Sequence, residues 1–252
     1  MKQDTVNNGE QRETLAKMLD AMDLAVIGNI RDLEPTFNDM ETISYIFFIR
    51  IIETFQGIVN LVLNQQIVPA TMLLRPLAES FILMKSSMFD EDFNDRHIKR
   101  AALEKERWLK NAIRHLDKNG FGKDKDFFDE IKSKTAEIHT DIENDLQQTL
   151  QLFEKQNELE IYFQIYSPSN FYVHSNRHSF NHYHSAEGGV KPVAERDYSR
   201  LYRHTCLGAA LIMLKAYKLF VQLARVQEPI TEELKRLMEA CAAKAAGESK
   251  PI

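Results

Sequence analysis

Cysteine is nearly absent: Cys206 and Cys241 are the only two, far apart, and neither has a Cys or His neighbour at zinc-ligand spacing. That argues against a disulfide framework and against a cysteine-based zinc site. Glycine and proline are scarce as well, at 9 and 7 of 252 residues, and so few turn-formers favour an α-helical chain. No sign of charge dominates. The net charge of −5 argues against a generally basic nucleic-acid coat, yet leaves room for a local basic patch. Long uninterrupted hydrophobic runs are also missing. The two most apolar runs, ISYIFFIRII and LGAALIMLKAYKLF, are interrupted by Arg50 and Lys215 and fall short of a bilayer's thickness. The polar N-terminus, MKQDTVNNGEQRETL, lacks the apolar core of a signal peptide. Together these features point to a cytoplasmic protein with reduced thiols and no membrane partner.

What the chain does have is helical periodicity. Leu15, Met18, Leu19, Met22, Leu24 and Ala25 recur at helical spacing within 10–32. A helix over about 38–63 carries Ile43, Ile46, Phe47, Ile51, Phe55, Ile58 and Val62 around most of its circumference, as a central, buried helix does. A break near Asn64-Gln65-Gln66 leads to a third helix, roughly 68–88. Charged helices over 91–117 and 124–157 follow, with Asn119-Gly120 as a stop between them. NELEIYFQIYSPSN reads as a helix ending before Pro168, although its aromatic and β-branched content also suits a strand. A strong helix over 195–226 ends at Pro229, and a short one over 231–245 closes the chain. The expectation is an all-α fold: one domain over 1–252, a bundle of about seven helices, with 1–9 and 247–252 frayed.

Charged residues sit inside apolar helices. In IVPATMLLRPLAESFILMKSS, Leu73, Leu77, Phe81 and Met84 share one face, and Arg75, Glu79 and Ser86 form a line on the other. Arg75 and Glu79, four apart, can pair within the helix. Either they form an ion pair at a helix–helix contact, or they orient a site delivered from elsewhere in the sequence. Arg50 and Glu53 repeat the theme.

The stretch FYVHSNRHSFNHYHSAEGG concentrates four of the chain's eight histidines: His174, His178, His182 and His184. Three readings stand. His at i and i+4 is a zinc-ligand spacing, but only Glu187 is near to help. Alternatively, Arg177 and His182 in the hexapeptide R-H-x-x-x-H, with His178 between them, could act together on one phosphate. The imidazole would move a proton near neutral pH, and the guanidinium would grip phosphate oxygens. That pair is the minimum for metal-free RNA cleavage. The third reading is a polar loop whose His, Ser and Asn act as caps and turn residues. Downstream, Arg196, Arg200 and Arg203 share a face at the start of the 195–226 helix, with His204 one turn beyond Arg200. They suit an RNA-backbone cradle, or pairing with acids of the 124–157 segment.

Leu73-Leu74-Arg75 followed by Glu79 resembles the L-L-R-x-x-x-E helix of an uncharacterised bacterial all-helical family. That family also carries a Tyr, a Ser and a His ahead of its last long helix, places that Tyr166, Ser169 and His174 fill with one extra residue between Ser and His. The R-H-x-x-x-H hexapeptide in turn resembles the Arg-polar-x-x-x-His motif of HEPN domains, helical bundles that are often dimeric. Many of these are metal-independent ribonucleases of toxin and anti-phage systems. The resemblance implies a HEPN-like core and RNA as substrate. It makes Arg177, His178 and His182 catalytic, with Arg75, Glu79 and His174 in support. It calls for neither metal nor other cofactor. The excess apolar surface of the long helices adds the expectation of a homodimer. The rival expectation is a non-catalytic helical interaction module with an unidentified protein partner.

Overall fold

The computed structural model describes residues 2–30, 37–99, 108, 149–173, 198–225 and 236. Among them every regular element is helical and no strand occurs. In chain order these are α1 (Lys2–Ile30), α2 (Asp39–Leu63), α3 (Ile67–Phe89), α4 (Thr149–Lys155) and α5 (Leu159–Ile161). A π-helical segment follows (Tyr162–Tyr166), then α6 (Ser167–Val173) and α7 (Ser199–Ala224). The all-α expectation holds. The chain divides into two compact units, one of Met1–Met88 with Thr149–Ile252, the other of Phe89–Gln148.

In the first unit, α2 is started by a capping box. Asn38 Oδ1 accepts the Glu41 N–H at 2.8 Å, and Glu41 Oε2 accepts the Asn38 N–H at 3.0 Å, an arrangement worth about 1 kcal/mol. The turn into α3 passes through Gln65 at φ 59°, a left-handed conformation that costs a side-chain-bearing residue about 1 kcal/mol. The turn makes α2 and α3 antiparallel, and Ser44 and Ser87 meet across the pair at 2.7 Å. Helix α7 runs back along α2. Its Tyr202 hydroxyl donates to the Val62 carbonyl at 3.0 Å, Phe220 stacks on Phe48 at 4.3 Å, and Arg225 donates to Glu41 Oε1 at 2.8 Å. It therefore lies parallel to α3, to which Thr205 bonds through Thr71 at 2.7 Å. Phe48, Phe55, Phe81, Phe153 and Phe220 are fully buried, each contributing on the order of 1.5–3 kcal/mol.

Several local expectations are revised. On α1, which packs on α2 and α7, the buried stripe is Leu15, Leu19, Met22 and Val26, while Leu24 is 65% exposed. Helix α2 is not buried all round, because Ile46 is 54% exposed and Arg50 and Glu53 face solvent. Pro168 does not end its helix. The π segment, where the Ser167 N–H reaches back five residues to the Tyr162 carbonyl, precedes it. That wider turn relieves the clash a proline ring makes with the carbonyl four residues back, so the helical path runs on to Val173. Helix α7 stops at Arg225, in a left-handed conformation with φ 54°, ahead of Pro229.

A larger correction concerns the membrane. Three helical stretches among the described residues are long and apolar enough to cross a bilayer: Glu41–Leu63, Ile67–Phe89 and Ser199–Ala224, of 23, 23 and 26 residues. A hydrocarbon core needs about 20 predominantly apolar residues, not an unbroken run. Single charges such as Arg50 and Lys215 therefore do not disqualify a span, as their long stems carry the charged head aside. The expectations of a cytoplasmic protein and of no membrane partner are withdrawn.

The second unit is described over 89–99 and at Trp108, with residues 93–99 helical. Within it Arg96 pairs with Asp90 at 2.6 Å, and Phe93 stacks on His97 at 5.4 Å.

Candidate functional site

Arg75 and Glu79 do pair along α3, with Nε to Oε1 at 3.2 Å. They also meet a third group. The Tyr166 hydroxyl donates to the same Glu79 Oε1 at 2.9 Å, and the Arg75 guanidinium lies over the Tyr166 ring, 5.5 Å from its centroid. The three side chains close a triangle of ion pair, charge-assisted hydrogen bond and cation–π contact. The Arg75 and Glu79 side chains remain 26% and 37% exposed, whereas Tyr166 is buried. Burial, and then the hydrogen bond to and negative charge of Glu79, push the Tyr166 phenol above its ordinary pKa; the Arg75 charge opposes this. The phenol therefore stays protonated and serves as a donor. Tyr166 is the last residue of the π segment, a rare geometry frequently found at functional sites.

Ser169 is not part of this cluster. It is fully buried, and its hydroxyl donates to the Ile165 carbonyl four residues back at 2.6 Å, a bond within the helix.

A second feature lies along the opening turns of α7. Arg200, Arg203 and His204 line an open cleft of about 310 Å³, with Gln164 as its fourth polar wall. Ile165, Leu207, Gly208 and Leu211 form its apolar part. The spacing 200, 203, 204, 207, 211 is one face of a helix. Gly208 faces the π segment, and a Cβ there would stand 3.5 Å from the Ile165 side chain, an ordinary van der Waals contact. The His204 Nε2 is buried and has no hydrogen-bond partner among the described residues. Gln164 carries no sequence signal that marks it as a site residue; only the fold brings it to α7.

Of the other expected site residues, His174, Arg177, His178, His182 and Arg196 lie outside the described residues. Among the described residues, no group of three His, Cys, Asp or Glu side chains is placed to hold a metal.

A further charged cluster has no forerunner in the sequence reading. Glu158, with its side chain 6% exposed, accepts from Lys85 at 2.6 Å and from Lys215 at 2.9 Å, joining α3 to α7. Lys85 also donates to the Gln156 carbonyl at 2.9 Å. Both carboxylate oxygens are engaged by lysines of the core helices, which makes this a structural clamp.

Comparison with protein families matches the model of a family of unknown function, DUF5677, to residues 41–191. The chain belongs to that family. The DUF5677 span takes in Arg75, Glu79 and Tyr166, and it also includes the 171–189 histidine stretch. It stops short of α7, so Arg200, Arg203 and His204 lie beyond what the family model matches. No curated protein and no solved structure matches the chain.

Proposed function

We propose that this DUF5677 protein is a metal-independent endoribonuclease with a HEPN-like helical core. The observation that carries the reading is the cleft of α7: Arg200, Arg203 and His204 line one concave surface on a protein whose net charge is −5. Cations gathered on one helix face of an acidic protein suit a phosphodiester backbone. Arg200 and Arg203 belong to the opening turns of α7, the end that a membrane-crossing helix would keep in water.

The chemistry is assigned to the R-H-x-x-x-H hexapeptide. His182, assisted by His178, takes the proton of a ribose 2′-hydroxyl. The freed oxygen attacks the adjacent phosphorus, the bond to the 5′-oxygen breaks, and that oxygen leaves with a proton. Arg177 stabilises the charge that builds on the phosphorane. The products are a 2′,3′-cyclic phosphate and a 5′-hydroxyl. The Arg75–Glu79–Tyr166 triangle supports this assignment as a rigid brace for the segment that enters the histidine stretch.

The experiment is cleavage of a labelled RNA in EDTA, with His182→Ala as the control. The expected result is cutting of RNA but not DNA, cyclic-phosphate ends, and loss of cutting in a variant whose melting temperature is unchanged. Cutting that needs added Mg²⁺, or that survives His182→Ala, rules the mechanism out. A folded protein that cuts no RNA under any condition returns the chain to the interaction-module reading.

A further inference from the structure

We infer that the α7 cleft is a single-nucleotide subsite that accepts an unpaired base, so that the substrate is single-stranded. This deepens the ribonuclease reading and rests on it for the identity of the polymer. The cleft's capacity of about 310 Å³ lies at the lower edge of small-molecule sites. That is room for one nucleotide and too little for a paired duplex.

The layout of the walls matches the parts of a nucleotide. Arg200 and Arg203 stand at one end of the helix face and Leu207 and Leu211 further along it. Arg203 and Leu207 are four residues apart, about 6 Å along the axis, comparable with the reach from a nucleotide's phosphate to its base. Phosphate at the arginines therefore sets the base over the leucines. Gln164 offers an amide with both donor and acceptor, the equipment that reads a base edge. Its own N–H₂ is held by Glu160 Oε1 at 3.2 Å, which orients it. Beside Gln164 in the π segment, Phe163 is 61% exposed, and the Tyr162 ring props it edge-on at 5.2 Å. An exposed, braced aromatic one residue along the helix from a cleft-lining glutamine is suited to be a stacking platform for the neighbouring base. A base inside a duplex has its edge paired and its faces stacked, and can use neither.

The test is binding, measured by fluorescence anisotropy with a 2′-O-methyl oligonucleotide, which cannot be cleaved by attack of its own 2′-oxygen. The single strand should bind at least tenfold more tightly than the same strand in a duplex. Phe163→Ala should weaken binding by about tenfold, and Phe163→Tyr should restore it. Arg200→Gln combined with Arg203→Gln should weaken binding and flatten its salt dependence. Equal affinity for single strand and duplex, or an unchanged affinity in Phe163→Ala, overturns the subsite. So does displacement of the probe by phosphatidylglycerol vesicles with no loss of vesicle binding in Phe163→Ala, which would make the cleft a lipid-headgroup site. Single-strand binding that behaves as expected while unmodified RNA stays uncut removes the ribonuclease reading and leaves the subsite in place.

Discussion

The Tyr166 hydroxyl and Glu79 Oε1, 87 positions apart in sequence, are 2.9 Å apart in space. Their bond fastens the π segment to the middle of α3, and Arg75 closes the contact from above the ring. The first prediction concerns this bond. Tyr166→Phe removes a donor to a charged acceptor, and because Glu79 stays partly in water the loss should be about 1 kcal/mol. The folded pKa of the phenol is raised, so its contribution is fully present below the unfolded value near pH 10 and is lost as pH rises through the folded value. Melting curves at pH 8 and pH 10.5 should show the wild type losing more stability between the two than Tyr166→Phe. Parallel losses would show that the bond carries no such linkage.

Glu158 clamps Lys85 and Lys215 from a nearly buried position. Glu158→Gln should cost about 2–4 kcal/mol, somewhat below the range for fully buried pairs because both lysines keep some exposure. Denaturant unfolding gives the value directly. A change under 0.5 kcal/mol, on the scale of surface pairs, would show that the lysines reach water on their own.

Two glycines inside helices should respond in opposite ways to alanine. At Gly208 a new Cβ meets Ile165 at an ordinary 3.5 Å, so the gain in helix propensity, up to about 1 kcal/mol, should appear as a raised melting temperature. At Gly57 the Cβ would stand 3.2 Å from Leu73 Cδ1, and that contact should cancel the gain. Gly57→Ala as stabilising as Gly208→Ala would show that Leu73 moves aside freely.

Asp23, on α1, has a buried Oδ1 with no partner among the described residues and a long 3.5 Å contact from Gln56 to its Oδ2. Burial raises its pKa, the Gln56 hydrogen bond lowers it, and Asp20 adds to the rise. A carboxyl raised on folding favours the folded state at low pH and weakens it as pH climbs through the folded value. Asp23→Asn should therefore raise the melting temperature at pH 7, with the advantage fading towards pH 4. An advantage of the same size at both pH values would point to the amide's own hydrogen bonds as its source.

Much of the helical frame is legible in the sequence. The periodic apolar positions of α2, α3 and α7 bring the expected 38–63, 68–88 and 195–226 close to Asp39–Leu63, Ile67–Phe89 and Ser199–Ala224. The Arg75–Glu79 pair follows from a spacing of four. What periodicity does not carry is contact at long range. Nothing in the local pattern links Glu158 to lysines 73 and 57 positions away, or brings Gln164 to face Arg200. Pro168 looks like a stop because a proline inside an α-helix usually is one, and the wider turn before it leaves no mark in composition. The membrane expectation fails for a different reason: a search for unbroken apolar runs passes over helices whose average composition suffices despite the three or four charges each carries.

The π segment holds one residue more than an α-turn would use to cover the same span. Every residue after it is therefore turned about the helix axis by roughly 100° relative to an uninterrupted helix. Deleting one residue between Tyr162 and Tyr166 would let the segment relax to α geometry. It would also separate two alignments that the extra residue now satisfies together: Ile165 against Gly208 and Tyr166 against Glu79. A single-codon deletion there would act as a change of phase rather than the loss of a side chain, shifting what Tyr166 and Gln164 face while leaving the helix intact.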